Sequence, residues 1–168
     1  MSQLLLLRHA RAAWAEPGMR DFDRPLDANG RRDADAMGAA MAAGAYIPER
    51  VVCSNARRAR ETWEAVARHL QPSRDVIYTD QLYITDATGY ANLIVEQGGM
   101  ASILLIGHNP MIEDVCFALA EAGDEAAIAA RASGFPAGCL AVISFTGSLA
   151  EARPGGGRLD TFLAPGEI

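Results

Sequence analysis

The 168-residue chain contains no lysine: all fifteen of its positively charged residues are arginines. Schiff-base chemistry and a phosphate-binding P-loop, which both require a lysine amine, are excluded. The arginine bias itself, alongside heavy alanine usage, is read as genomic composition rather than as function. Cysteine is scarce as well. Cys53, Cys116 and Cys139 sit in or beside apolar runs, their number is odd, and no spacing suits a metal, so reduced core thiols are expected instead of a disulfide framework or a metal site. No apolar run approaches the roughly 18 residues of a membrane span, and the amino terminus lacks the basic flank and long apolar region of a secretory signal. A cytoplasmic protein with no membrane partner is the expectation. Positive charge is outweighed by negative, for a net charge of −6, which gives no electrostatic reason to expect nucleic acid as a partner. An anionic ligand would need a local basic pocket.

Half of the residues are apolar and only eight are proline, enough for one well-buried domain over residues 1–168 and too little chain for two. Short apolar runs alternate with helical patterns, the signature of an α/β domain with a mostly parallel sheet and helices on both faces. About six strands are expected: Gln3 to Leu7, Arg50 to Cys53, Asp75 to Tyr78, Ser102 to Ile106, Gly138 to Phe145 and Gly157 to Phe162. Helices are expected from Ala28 to Ala43, capped by Asp27 and stopped at Gly44; from Ala56 to Leu70, capped by Ser54 or Asn55; and from Ala87 to Gln97. A fourth begins at "NPMIEDV", with Asn109 as cap and Pro110 as first helical residue. The "PGGG" at Pro154 to Gly157 reads as a turn between the last two strands, and Glu121 to Gly134 reads equally as helix or loop.

Ligands of an open parallel sheet bind outside the carboxyl ends of its strands. The first strand is followed by Arg8-His9, the second by "SNARRARET" (Ser54 to Thr62) and the fourth by "GHNP" (Gly107 to Pro110). Each residue alone has an ordinary structural explanation; what matters is that two of the three histidines, His9 and His108, fall at strand ends together with a group of arginines. His69, late in a helix pattern, reads as structural. Arginines offer planar bidentate donors for a tetrahedral oxyanion, and a helix start at Asn109 to Met111 could add backbone N–H groups. A neutral imidazole is a competent nucleophile toward phosphorus, and neighbouring cations disfavour its protonated form. A cysteine phosphatase loop fails on register, because Cys53 has Ala59 where arginine is needed and Arg58 comes one place early. A metal-dependent phosphatase would need clustered histidines and carboxylates, and no such spacing is present.

The ordered set "RHARAAW", "DRPLDANGRRDA", "SNARRARET", "LLIGHNPMIEDV", "FPAGCLAVISF" and "LAPGEI" resembles the histidine phosphatase superfamily, with its phosphoglycerate mutase-like fold, and in particular its small bacterial SixA-like phosphohistidine phosphatases. The likeness extends over nearly the whole chain. It implies that His9 attacks phosphorus and carries a transient phosphoryl group, that Arg8 and Arg58 bind phosphoryl oxygens, and that His108 donates to those oxygens, with no metal or cofactor. Arg57 and Arg60 are then neighbours only.

Four positions depart from the family pattern. Ala10 stands for the commoner glycine, Ala12 for a frequent serine and Asn55 for the usual proline. In "DQLYITDATGY" no glutamate occupies the place of the general acid of larger members; Asp86, the nearest carboxylate, is a candidate acid but reads better as an N-cap. Protonation of a leaving alkoxide is typically worth about 100-fold or more, whereas the nitrogen of a phosphoramidate can leave as neutral imidazole. The expected substrate is therefore a phosphohistidine, on a protein partner, with inorganic phosphate as product. The alternatives are a small-molecule phosphomonoesterase with a good leaving group, or a non-catalytic phosphate or phosphoprotein binder.

Overall fold

Four consecutive leucines, Leu4 to Leu7, are all buried because alternate members face opposite sides of one sheet and helices cover both. The computed structural model describes residues 1–70 and 75–168. Its elements are β1 (Ser2–Arg8), α1 (Ala28–Ala43), β2 (Arg50–Ser54), α2 (Arg57–Ala67), β3 (Asp75–Thr79), α3 (Gln81–Ile84), α4 (Ala87–Glu96), β4 (Ser102–Gly107), α5 (Met111–Leu119), β5 (Ala122–Gly123), α6 (Glu125–Arg131), β6 (Leu140–Phe145) and β7 (Arg158–Leu163). The described strands form a seven-stranded sheet in the order β3-β2-β4-β1-β6-β7-β5. It is parallel from β3 through β1, and antiparallel where β6 meets β1 and β7. Leu5, Leu7, Val51, Cys53, Leu104 and Ile106 pack with Met37 and Met41 of α1 and with Trp63 and Val66 of α2. Leu4, Leu6, Val52, Ile103 and Leu105 pack on the other face with α4 and α5.

The expected strands are present, joined by one more: the stretch Glu121 to Gly134 supplies the two-residue β5 and then α6, whose N-cap Asp124 accepts a hydrogen bond from Ala127 N–H. Asp27 caps α1 through Gly30 N–H at 2.7 Å, and Gly44 ends it, as expected. Two caps differ. Neither Ser54 nor Asn55 caps α2; Ala56 holds that place with no side-chain bond, and the helix ends at Ala67 rather than Leu70. Pro110, not Asn109, stands at the N-cap of α5: the Asn109 amide nitrogen donates to Glu113 and to the Phe135 carbonyl, and its Oδ1, the atom that would cap, accepts no hydrogen bond.

Register decides where the chemistry can lie. In the parallel β1–β4 pair Arg8 stands opposite Gly107, so both strands end in the same row and release His9 and His108 side by side. In the β2–β4 pair Cys53 stands opposite Ile106, which puts Ser54 level with that row. The turn after β1 is then pinned to the start of α1: Asp27 N–H donates to the Arg11 carbonyl at 3.0 Å, and Gly30 is buried against the same carbonyl. A Cβ at Gly30 would overlap Arg11's backbone. Gly30→Ala should therefore cost about 1–3 kcal/mol through overpacking, read as a lowered midpoint in urea; an unchanged midpoint would mean that the turn yields freely.

Candidate active site

Arg58 lies on the first turn of α2 with only 7% of its surface exposed, so its charge must be met by the groups around it. Its Nε–H donates to Nε2 of His9 at 3.2 Å, one Nη donates to the Asp21 carbonyl at 2.8 Å, and the other to the Asp21 carboxylate at 3.1 Å. The His9 ring is fixed from its other side, where Nδ1 lies 2.7 Å from the Ala10 carbonyl. A carbonyl can only accept, so Nδ1 carries the ring proton and Nε2 presents a lone pair. Burial, together with the nearby charges of His108, Arg58 and Arg8 and despite the Ala10 carbonyl, pushes the His9 pKa down to about 3. At neutral pH the ring is therefore neutral, with its lone pair on Nε2 held by the Arg58 Nε–H.

His108 stands beside it, ring centroids 5.1 Å apart. Its Nε2 is 2.8 Å from the Ser54 hydroxyl, while its Nδ1 is buried with no protein partner. Burial and then the charge of Arg58 lower its pKa to about 4, so it too is neutral. Arg8 donates one Nη to the Phe135 carbonyl at 2.8 Å and leaves its buried Nε without a partner. Of the four buried side-chain polar atoms without partners among the described residues, three belong to Arg8, His108 and Asn109. The Asn109 atom is Oδ1, an acceptor; the nitrogens of Arg8 and His108 are the ones that can offer hydrogen to a ligand's acceptor oxygens.

Side chains behind the site hold its parts together. Thr62 of α2 donates to the Arg58 carbonyl at 2.7 Å and accepts from Ala10 N–H at 3.0 Å. The segment "FPAGC" reaches the site by backbone: Phe135 offers its carbonyl to Arg8 and Asn109, and Gly138 N–H meets the carbonyls of Arg8 and His9. Tyr90 accepts from His108 N–H at 3.0 Å and donates to the Leu82 carbonyl.

The structure brings together Arg8, His9, Arg58 and His108, and leaves two expected residues outside. Asn109 has both amide hydrogens engaged elsewhere and is not poised to donate to an oxyanion at His9. Asp86 caps α4 by accepting from Gly89 N–H at 3.0 Å, the ordinary role the sequence favoured. His69 bonds to Asp35, also as read.

Asp21 and Tyr83 are residues that sequence reasoning missed. Asp21 opens a short 3-10 turn in the segment between β1 and α1, and its carboxylate accepts from Arg58, from Arg24 at 3.0 Å and from the Tyr83 hydroxyl at 2.9 Å. Burial opposes ionisation, yet the hydrogen bonds from Arg24 and Tyr83 and the charge and hydrogen bond of Arg58 hold its pKa at about 2. Tyr83 in turn stands edge-on to the His108 ring, centroids 5.6 Å apart. The one available signal was the acidic pair flanking Phe22 just ahead of "RPLD", which has no helical or strand period to fix its direction.

A family model described as the histidine phosphatase superfamily (branch 1) matches residues 4–86. An uncharacterized Mycobacterium tuberculosis protein is 32% identical over 162 residues, covering 95% of this chain and 99% of its own. Among solved structures, a candidate phosphohistidine phosphatase SixA from Agrobacterium tumefaciens is 37% identical with a TM-score of 0.82, covering 98% of this chain and 99% of that one. A protein described in the same words from Nakamurella multipartitia is 31% identical with a TM-score of 0.79, over 98% and 96% of the two chains.

Two measurements probe this geometry. Arg57 points away, 54% exposed and paired with Glu61 at 2.8 Å, so Arg57→Ala should leave kcat/KM nearly unchanged, whereas Arg58→Ala should cost about 2–4 kcal/mol of transition-state stabilisation. Equal impairment of both would redraw the site. The second measurement is of stability against pH. His9 and His108 stay neutral when folded but, unfolded, take up protons below their ordinary value of 6.5. Stability is therefore undiminished above that pH and declines as pH falls from it, toward about 4 for the His108 contribution and about 3 for that of His9. Melting curves should show a shallower acid decline for His9→Gln than for the wild type, and parallel declines would refute a neutral buried His9.

Proposed function

The chain belongs to the histidine phosphatase superfamily, and from that membership we propose that it hydrolyses the phosphohistidine of a protein, the whole of residues 1–168 acting as one histidine phosphatase domain. The lone pair on His9 Nε2 forms the new bond to phosphorus while the P–N bond of the substrate breaks, its electron pair remaining on the departing ring nitrogen. When the remote nitrogen of that ring carries a proton, the leaving group is neutral imidazole and needs no acid from the enzyme. Arg8, Arg58 and His108 donate to the phosphoryl oxygens as charge shifts among them. Water then attacks the phosphorus on His9, returning the electron pair to Nε2 and releasing inorganic phosphate.

The observation that carries this reading is the state of Asp21. It is the carboxylate that touches the phosphate-binding Arg58, and it is ionised, with a pKa near 2 and three donors on it. It has no proton to give an alkoxide at neutral pH. Such a site favours phosphoramidates, whose leaving group brings its own proton, over serine or sugar phosphates. The choice of a protein substrate is supported by the rim. Trp14, 90% exposed, stacks on Arg24, and Ile84, 75% exposed, adjoins Tyr83; both neighbours bond to Asp21. Exposed apolar groups beside the mouth suit a macromolecular surface better than a free phosphoryl compound.

Purified enzyme should hydrolyse a phosphohistidine-bearing protein, turn over phosphoserine at least about 100-fold more slowly, and keep its activity after exhaustive chelation. His9→Ala should abolish turnover with an unchanged circular dichroism spectrum. Comparable rates on phosphoserine would overturn the substrate assignment, and chelator inactivation reversed by zinc or magnesium would overturn metal independence.

A further inference from the structure

We infer that Ser54 is a positioning residue that fixes the tautomer of His108, so that the Nδ1–H of its neutral imidazole faces the transferring phosphoryl group. Ser54 ends β2, level with the row where β4 releases His108, and it is wholly buried at 0% exposed. Its hydroxyl oxygen accepts from Ala56 N–H at 3.2 Å and lies 2.8 Å from His108 Nε2. A buried hydroxyl proton needs an acceptor, and among the described residues the only one within hydrogen-bonding reach is that nitrogen. Were Nε2 protonated instead, Ser54 oxygen would face two donors, its own proton would be stranded, and the lone pair on Nδ1 would face the phosphoryl oxygens.

The opposite tautomer resolves both problems at once. Nε2 accepts the serine proton, and Nδ1, buried without any protein partner, becomes an N–H donor beside His9. A neutral imidazole has a single N–H, and burial keeps this ring neutral, so the tautomer determines whether His108 helps or hinders the transfer. In this assignment the two histidines share a protonation pattern, both with hydrogen on Nδ1, but to opposite ends: His9 directs its lone pair at phosphorus and His108 its proton at the oxygens.

Long-range proton–nitrogen NMR of 15N-labelled protein reads the tautomer directly. His9→Gln and His69→Gln, each removing one of the other two histidines, assign the His108 signals. The wild type should show His108 protonated at Nδ1, and protonation at Nε2 overturns the inference before any variant of Ser54 is made. In Ser54→Ala the proton should redistribute toward Nε2 and kcat should fall about tenfold or more with KM little changed, because a misdirected tautomer removes the donor from the transition state. Ser54→Thr, which retains a hydroxyl, should restore both. A Ser54→Ala enzyme that keeps the Nδ1 proton, or keeps wild-type kcat, overturns the role of Ser54. The kinetic arm rests on the phosphatase reading, whereas the NMR arm does not, so a wild type inactive on every phosphorylated substrate but protonated at Nδ1 would sink that reading and leave the tautomer standing.

Discussion

One hydrogen bond organises the site: the Nε–H of Arg58 donating to Nε2 of His9. It forms only if the histidine nitrogen carries a lone pair, so it requires a neutral ring, and the buried guanidinium enforces that requirement by charge as well as by geometry. The arginine that orients the proposed nucleophile is the one proposed to hold the phosphoryl oxygens. In the proposed reaction, attack converts a nitrogen that accepts from Arg58 into one bonded to phosphorus, and the freed Nε–H is then beside the new phosphoryl group. Little rearrangement is needed to follow the charge, which is the condition for a preorganised site.

Maintaining a cation at that depth requires partners, and these come from elements far apart in sequence. The Asp21 carboxylate and carbonyl engage both Nη groups, and Arg24 and Tyr83 hold Asp21 in turn. The segment between β1 and α1 is therefore tied to α3 through the site itself, which explains why a stretch with little regular structure keeps a defined position.

Most of this was legible in the sequence because the informative residues sit at strand ends. The short apolar runs that end in Arg8-His9, "SNARRARET" and "GHNP", with the order of motifs, pointed to Arg8, His9, Arg58 and His108 at one sheet edge. Asp21 and Tyr83 were illegible for the opposite reason: one lies in a 3-10 turn and the other in a four-residue helix, and neither has a periodic neighbour that fixes where its side chain points. Asn109 shows a different failure. Its type and its place before a proline are those of a helix cap, but its amide nitrogen is anchored to Glu113 and to the Phe135 carbonyl, 26 residues on, and its oxygen is left uncapping; an orientation set by such a distant partner is invisible to local rules.

Thr62 has a consequence for how the molecule comes apart. A single hydroxyl joins α2 to the turn after β1, donating to one and accepting from the other. The Ala10 amide is thus shielded by a helix side chain rather than by a neighbouring strand, so its protection from exchange depends on α2 staying docked. Helix and turn are thereby linked, so a displacement of α2 would take with it both Arg58 and the hydroxyl that holds the residue next to His9.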